Sequence, residues 1–572
     1  MTPRRPDPAP PHARTEHGHL GPVLEVDGVS VRYNDVQALH GVCLRLGAGR
    51  ICGLIGVNGS GKSTLFKSLM GLLVPQQGEV RLFGGTTASA RKQALVAYLP
   101  QAEEVDWTFP VSVADVVSMG VYGRLGAARR LGTRERGVVA DALDRVGLAE
   151  MRTRQIGMLS GGQRKRVFLA RSIAQDARLL LLDEPFAGVD QGSQQTIGAL
   201  LGSLRDEGRS VLISTHDLAG VPELCDEAVL LPRRVVAHGD PAPVLSRGTS
   251  RWRSAPPRPS PPRPRSVRPD MDLLALLTEP LQYGFLTRAL AITVAAAVVS
   301  AVLSCWLILM GWSLMGDAVS HAVLPGVALA YIIGIPFSIG AFVFGMGAVA
   351  LIGVVRSTTK LKADTVIGVV FTALFAAGLA IVSATPSQID LMHILFGNVL
   401  GVSSAEVWQV LVLGALTLGV LLFKRRDLTL LAFDRTHAHV IGLNTRLLSG
   451  LLLGLLALTV VVGLQAVGII LVVAMLITPG ATAFLLTRSF DRMLVIAVVL
   501  TVTASVAGIY ASYYLDISTG ASVVLCQAVV FAVVDLFGRP AGVVWQARRR
   551  RRSGAPTRGP ARPADTGADT PA

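Results

Sequence analysis

A chain of 572 residues has room for three or four average domains, yet it is 51% hydrophobic and carries only 16% charged and 6% aromatic residues, against roughly 25% charged in ordinary soluble domains. With a mean hydropathy of +0.51, this composition excludes a wholly disordered, collagen-like or disulfide-scaffold chain and argues for a part that sits in lipid. The net charge of +15 is no nucleic-acid signal either: +11 of it lies in three Pro/Arg-rich segments, 1–22, 246–272 and 541–572. Basic arms beside membrane segments mark the cytoplasmic side or touch anionic lipid, so membrane lipid is an expected partner and nucleic acid is not.

In chain order, residues 1–22 form a Pro/His-rich arm, expected to be disordered. The arm lacks the apolar stretch of a secretory signal, so the domain that follows is expected in the cytoplasm. Residues 23–245 alternate short apolar runs such as ICGLIG and LLLLD with longer helical patterns, which predicts an α/β domain. Residues 246–272 hold seven prolines and seven arginines without periodicity and read as an extended linker. The chain is then almost continuously apolar over 273–540 and ends in a disordered basic tail over 541–572. Cys43, Cys52, Cys225, Cys305 and Cys526 form no CxxC pair, which suggests neither a zinc finger nor a disulfide framework.

Within the α/β domain, Gly56-Val57-Asn58-Gly59-Ser60-Gly61-Lys62-Ser63 matches the phosphate-loop pattern GxxxxGK[ST], followed by Thr64. It follows a strand-like run and opens a helix-like one, the context that pattern needs. Its glycines let backbone N–H groups wrap phosphates, Lys62 reaches the β/γ-phosphates, and Ser63 offers a hydroxyl to Mg²⁺. Downstream, the buried-strand run Leu179–Leu182 ends in Asp183, a carboxylate for Mg²⁺, and Glu184, a neighbour for the attacking water. Between the two lies Leu159-Ser160-Gly161-Gly162-Gln163.

With that LSGGQ in place, residues 23–245 resemble the ATPase domain of ABC transporters. The resemblance implies that Tyr33 stacks on adenine and that Gln101 senses Mg²⁺ and the membrane domain. It implies Glu184 as the general base, Asp190 as the D-loop residue and His216 as the switch histidine. Ser160, Gly161, Gly162 and Gln163 would donate to ATP held by another domain's phosphate loop. One chain has one of each, so a homodimer with two ATP sites is expected.

The apolar half contains nine candidate stretches: 289–310, 317–335, 337–355, 366–385, 405–423, 447–464, 467–487, 493–513 and 519–537. If the basic clusters at Arg288, Arg356–Lys362, Lys424–Arg426, Arg488–Arg492 and Arg539 are all cytoplasmic, an even number of crossings separates each pair. The first interval holds three stretches, so one is expected not to cross. Stretch 317–335 is the choice, giving about eight transmembrane helices with both ends inside. That stretch carries Asp317 and His321, four apart and hence on one helix face. Ionisable groups in an apolar stretch are expensive and point to function, and a carboxylate with an imidazole suits a divalent ion better than copper(I).

GDAVSHAVLPGVALAY, KADTVIGVVF and VGIILVVAMLITPGATA resemble the permeases of bacterial manganese, zinc and iron importers, over nearly the whole of 280–540. The resemblance implies that Asp317 and His321 line the metal path, and that an extracytoplasmic metal-binding protein delivers the ion. Lys362-Ala363-Asp364 departs from the family's usual acidic pair. The stretches QAEEVDWTFPV and Ile389–Ser403 resemble manganese-type members, with ferrous iron also compatible with the second. His393, in that second stretch, is either an ion guide or a capping residue. The expected protein is thus an α/β P-loop ATPase domain followed by an all-α polytopic membrane domain, importing manganese with ATP and Mg²⁺. Zinc or ferrous iron import is the alternative, and an exporter with its ATPase domain first is a further one. Residues 478–492 are the expected loop that presses on the ATPase domain.

Overall fold

The computed structural model describes residues 21–33, 36–56, 60–100, 105–215, 221–231, 237–239, 282–359, 361–384, 404–515 and 517–538. The N-terminal part contains strands β1 (Leu24–Tyr33), β2 (Val36–Leu46), β3 (Ile51–Ile55), β4 (Gln77–Leu82), β5 (Gly85–Thr86), β6 (Val96–Leu99), β7 (Leu179–Asp183), β8 (Ser210–Thr215), β9 (Glu227–Leu230) and β10 (Ala237–Gly239). Its helices are α1 (Lys62–Leu69), α2 (Thr87–Lys92), α3 (Val113–Ser118), α4 (Thr133–Arg145), α5 (Gly161–Gln175), α6 (Gln191–Asp206) and α7 (Val221–Leu224).

One sheet is antiparallel, in the order β2-β1-β4-β5; the other runs β10-β9-β3-β8-β7-β6 and is parallel except at its β10 edge. Strands covered on both faces lose the alternating pattern and read as unbroken apolar runs. β3 (ICGLI) and β7 (LLLLD) do so and are buried at every position. β8 lies between them, so the carboxyl ends of β3 and β7 flank it at one sheet edge, where parallel α/β sheets bind ligands.

The remainder is helical: α8 (Gly284–Leu309), α9 (Ser313–Ala322), α10 (Leu324–Ile333), α11 (Phe337–Thr358), α12 (Ala363–Ala384), α13 (Ser404–Phe423), α14 (Arg425–Phe433), α15 (Arg435–Val440), α16 (Thr445–Val467), α17 (Ile469–Leu486), α18 (Phe490–Leu515) and α19 (Thr519–Phe537). Among the described residues, eight helical segments are long and apolar enough to cross a membrane; the shorter Leu471–Leu486 adds a further apolar helix. Small residues let the backbones approach. A Cβ on Gly326 would stand 2.2 Å from the Gly340 carbonyl oxygen, so α10 and α11 meet backbone to backbone.

The membership of the spans differs from the sequence expectation. Ser313–Ile333 is itself one of the eight. α9 gives way to α10 at Val323, two residues before Pro325, whose ring removes a backbone donor. Nor does Arg288 share a side with the clusters at Lys424–Arg426 and Arg488–Arg492, which meet the N-terminal domain through Arg426 and Arg488. The far end of α8 lies by the N-terminal domain, since Trp306 packs on Phe490 at 5.2 Å and the Phe490 N–H donates to the Pro110 carbonyl at 2.8 Å. The opposite end stacks Tyr283 on Tyr513, 6.1 Å apart, at the end of α18 remote from the N-terminal domain. An α-helix rises about 1.5 Å per residue, so the 26 residues of α8 separate Gly284 from that domain by the full helical layer. The even-crossing rule fails in its first interval, where 284–309, 313–333 and 337–356 are all long and apolar enough to cross, three passes instead of the two expected.

Candidate functional site

The phosphate loop is built by steric necessity. A Cβ on Gly56 would lie 2.3 Å from Ser60 Oγ and 2.6 Å from the Leu231 oxygen. Gly61 has φ +100, where a side chain would also lie 2.6 Å from the Ala38 oxygen. α1 then starts at Lys62 with no side chain capping its free N–H groups, the arrangement that receives phosphate. Ser63 and Thr64 occupy its first turn. Lys62 is buried and its Nζ donates to the Gly56 carbonyl at 2.6 Å. Burial pulls its pKa down, against the carboxylates of Glu184 and Asp183, which hold it up. Ser60 Oγ is buried without a partner, an open donor in the cradle.

Asp183 is buried at the end of β7 and accepts a hydrogen bond from Ser214 Oγ on β8. Its carboxylate and the Ser63 hydroxyl are both hard oxygen donors, the kind that Mg²⁺ takes. Glu184 follows with φ +51, a left-handed conformation that costs a non-glycine residue about 1–3 kcal/mol. Its N–H donates to Ser214 Oγ at 3.0 Å, and its carbonyl accepts from Lys165 Nζ at 3.0 Å. Tyr33, at the end of β1, is 46% exposed and open to a stacking ring. Asn58, Gly59, Gln101, His216 and His393 lie outside the described residues.

The LSGGQ segment closes the start of α5 with a reciprocal capping box. Ser160 Oγ accepts from the Gln163 N–H, and the Gln163 side chain accepts from the Ser160 N–H at 3.0 Å. Its glycines are packing requirements: a Cβ on Gly161 would stand 2.9 Å from the Gly188 oxygen, and one on Gly162 2.5 Å from Ser193 Oγ. Ser160 itself is exposed. Asp190 caps α6, its carboxylate accepting from Ser193 N–H at 2.9 Å and Ser193 Oγ at 3.0 Å, and these bonds hold its pKa below the usual carboxylate range. Sequence reasoning did not foresee that structural role.

In the membrane part, Asp317 and His321 are joined on α9, Nε2 to Oδ1 at 3.3 Å, with side chains 30% and 27% exposed. The imidazole lies against Phe371 and Phe375 of α12, ring centroids 5.9 and 5.2 Å away. Its Nδ1 is buried with no partner. Among the described residues no three His, Cys, Asp or Glu side chains gather in one place, so these two are the ligand-type donors a single protomer brings together there.

The segment that enters the N-terminal domain is 424–446, not the expected 478–492. Phe433 at the end of α14 packs its ring on Phe109 at 5.3 Å. Arg171 of α5 pairs with Asp434 at 2.7 Å, and Arg129 with Asp427 at 2.8 Å. His437 Nε2 lies 3.2 Å from the Met119 carbonyl, and His439 touches Arg91. Residues 487–490 contribute at the rim, through the Phe490 N–H to the Pro110 carbonyl and Arg488 Nη1 to Met158 Sδ at 2.9 Å. Sequence reasoning missed Arg171, Asp434 and His437. The one available signal was Asp434 three residues before His437, the spacing of a helix N-cap, whose carboxylate accepts the His437 N–H at 2.7 Å.

A phosphate loop and a carboxylate pair flanking one strand, a capped LSGGQ helix and an apolar helical bundle seated on the same domain define an ABC transporter with ATPase and permease in one chain. Residues 282–538 match the ABC 3 transport family and residues 39–187 the ABC transporter ATPase. The permease half is 52% identical over 278 residues to the manganese transport system membrane protein MntB of Synechocystis, covering 49% of this chain and 90% of that protein. It is also 49% identical over 265 residues to the chelated iron transport system membrane protein YfeD of Yersinia pestis, covering 46% and 89%. The ATPase half is 53% identical over 217 residues to the manganese transport system ATP-binding protein MntA of Synechocystis, covering 38% and 84%. The chain belongs to the ABC 3 transport family and is an ATP hydrolase coupled to transmembrane transport.

Proposed function

We propose that this chain imports a divalent transition metal ion, with manganese as its preferred cargo, across the bacterial cytoplasmic membrane. The observation that carries the reading is the Asp317–His321 pair on a membrane helix. One hard oxygen and one imidazole nitrogen per protomer suit such an ion. Two protomers in a homodimer supply four donors, enough for transient coordination while an ion passes. The similarity to transport proteins named for manganese and for chelated iron supports the same cargo class.

In this reading Lys62, Ser60 and the start of α1 bind ATP phosphates, Ser63 and Asp183 hold Mg²⁺, and Glu184 orients the attacking water. Gln101 and His216 complete the site, Tyr33 stacks on adenine, and Asp190 belongs to the closing face. Ser160, Gly161, Gly162 and Gln163 engage the ATP held by the second protomer's phosphate loop. An extracytoplasmic metal-binding protein delivers the ion. The ATPase domain lies on the cytoplasmic side.

The deciding measurement is ion uptake into cells expressing the chain with its delivery protein, offering manganese, zinc and ferrous iron in competition. Preferential ATP-dependent manganese accumulation is expected. Preference for zinc or ferrous iron would reassign the cargo, and ATP-driven extrusion would overturn import.

A further inference from the structure

Lys165 has no part in nucleotide binding as described above, yet its side chain ends at the catalytic segment. It lies five residues beyond Ser160 on α5, about 7.5 Å along a helix that rises about 1.5 Å per residue. Only 6% of it is exposed, and its Nζ donates to the main-chain oxygen of Glu184 at 3.0 Å. Burying an ammonium group is unfavourable unless charge and hydrogen bonds compensate. Here Asp183 and Glu184 supply opposing charge, while burial, the largest influence, lowers the pKa.

The acceptor matters as much as the donor. Glu184 is held at φ +51, a conformation that persists only where the surroundings over-determine it. Its N–H donates to Ser214 on β8, to the hydroxyl at 3.0 Å and the main-chain oxygen at 3.2 Å. Its carbonyl accepts from the Ala187 N–H at 3.3 Å within the turn and, from α5, from Lys165 Nζ. Beside them lies a cavity of about 180 Å³, lined by Trp107, Gly161, Lys165, Phe168 and Gly188 among others, so the α5 face that carries Lys165 is not packed solid.

We propose that Lys165 is a positioning residue for ATP hydrolysis: it holds the Glu184 backbone in its left-handed conformation and so ties the signature helix to the base of the same protomer. This rests on Glu184 as general base and on Ser160 facing the second protomer's nucleotide. Closure of α5 over that nucleotide then sets the base that serves the protomer's own ATP. The two sites become cooperative through a side chain on the signature helix.

The test uses the full-length chain in reconstituted membranes, with Lys165→Met and Lys165→Arg compared against wild type and Glu184→Gln. Lys165→Met is expected to lower kcat at least tenfold with KM for ATP within twofold, to keep binding of a fluorescent ATP analogue, and to bring the Hill coefficient towards one. Lys165→Arg restores the donor and is expected to recover most of kcat and the cooperativity. A wild-type kcat and Hill coefficient in Lys165→Met would overturn the proposal. So would joint loss of kcat, nucleotide binding and thermal stability in both Lys165 variants. Glu184→Gln separates the two readings: if it hydrolyses normally the general-base assignment fails, whereas its inactivity beside a normal Lys165→Met defeats the positioning role alone.

Discussion

Arg171 and Asp434 lie 263 residues apart in sequence and form an ion pair of 2.7 Å, their side chains 1% and 4% exposed. Arg171 sits on the helix that opens at LSGGQ and Asp434 caps α15, so the pair joins that helix to the segment that enters the ATPase domain. Removing one partner from a buried pair leaves an uncompensated charge and costs about 3–5 kcal/mol. Asp434→Asn should therefore lower the thermal midpoint and reduce uptake at least tenfold, with ATP still bound. Arg171→Met combined with Asp434→Leu should recover much of the stability, because no buried charge is left unpaired. A double-mutant cycle on thermal midpoints checks this, and additive losses would contradict it.

The same contact should weaken in acid. His437 is buried, and that burial, with the Arg171 guanidinium beside it, lowers its pKa from 6.5 to about 3. The folded form therefore resists a proton that the unfolded chain accepts below 6.5. Stability is complete above that pH and declines as pH falls from 6.5 towards 3. Asp434 adds to the decline at its lower end, since Arg171 holds its carboxyl below 3.8 despite burial. Thermal midpoints measured over this range should fall more steeply in wild type than in His437→Gln, which has no proton to gain; equal slopes would show that His437 does not set the acid limb.

Asp317→Asn keeps the side-chain volume and removes its charge. It should abolish manganese uptake, as should His321→Ala, while basal ATP hydrolysis stays near wild type, since the ATPase site is in the other domain. Transport assays at matched protein levels decide the matter. Undiminished uptake in Asp317→Asn would mean that the ion is guided elsewhere.

Tyr283 and Arg446 should be reachable from opposite faces of the membrane. Tyr283 stacks on Tyr513 at the end of α18 remote from the ATPase domain, whereas α16 starts beside the segment docked in that domain. In a chain whose own cysteines are replaced by serine, Tyr283→Cys should react with an impermeant maleimide added outside intact cells. Arg446→Cys should react only in inverted vesicles. Labelling of both from one side would contradict the number of passes.

The nucleotide site was legible in the sequence because its parts are contiguous. A phosphate loop requires glycines where Gly56 and Gly61 stand, since side chains there would strike Ser60 and Ala38, and that need appears as a motif. The apolar segments were equally plain, because lipid demands long hydrophobic helices whatever their partners. What only the tertiary structure decided is where distant segments meet. The docking of 424–446 depends on Arg171 and Phe109 lying across a groove from Asp434 and Phe433, and no local pattern carries that complementarity. Lys165 looked like one more basic residue after LSGGQ until its ammonium reached the Glu184 carbonyl. The side on which α8 begins was misjudged for a related reason. Basic residues near a helix end bias orientation, but Ser313–Ile333, set aside for its polar residues and proline, is itself long and apolar enough to cross, which makes the first interval three passes.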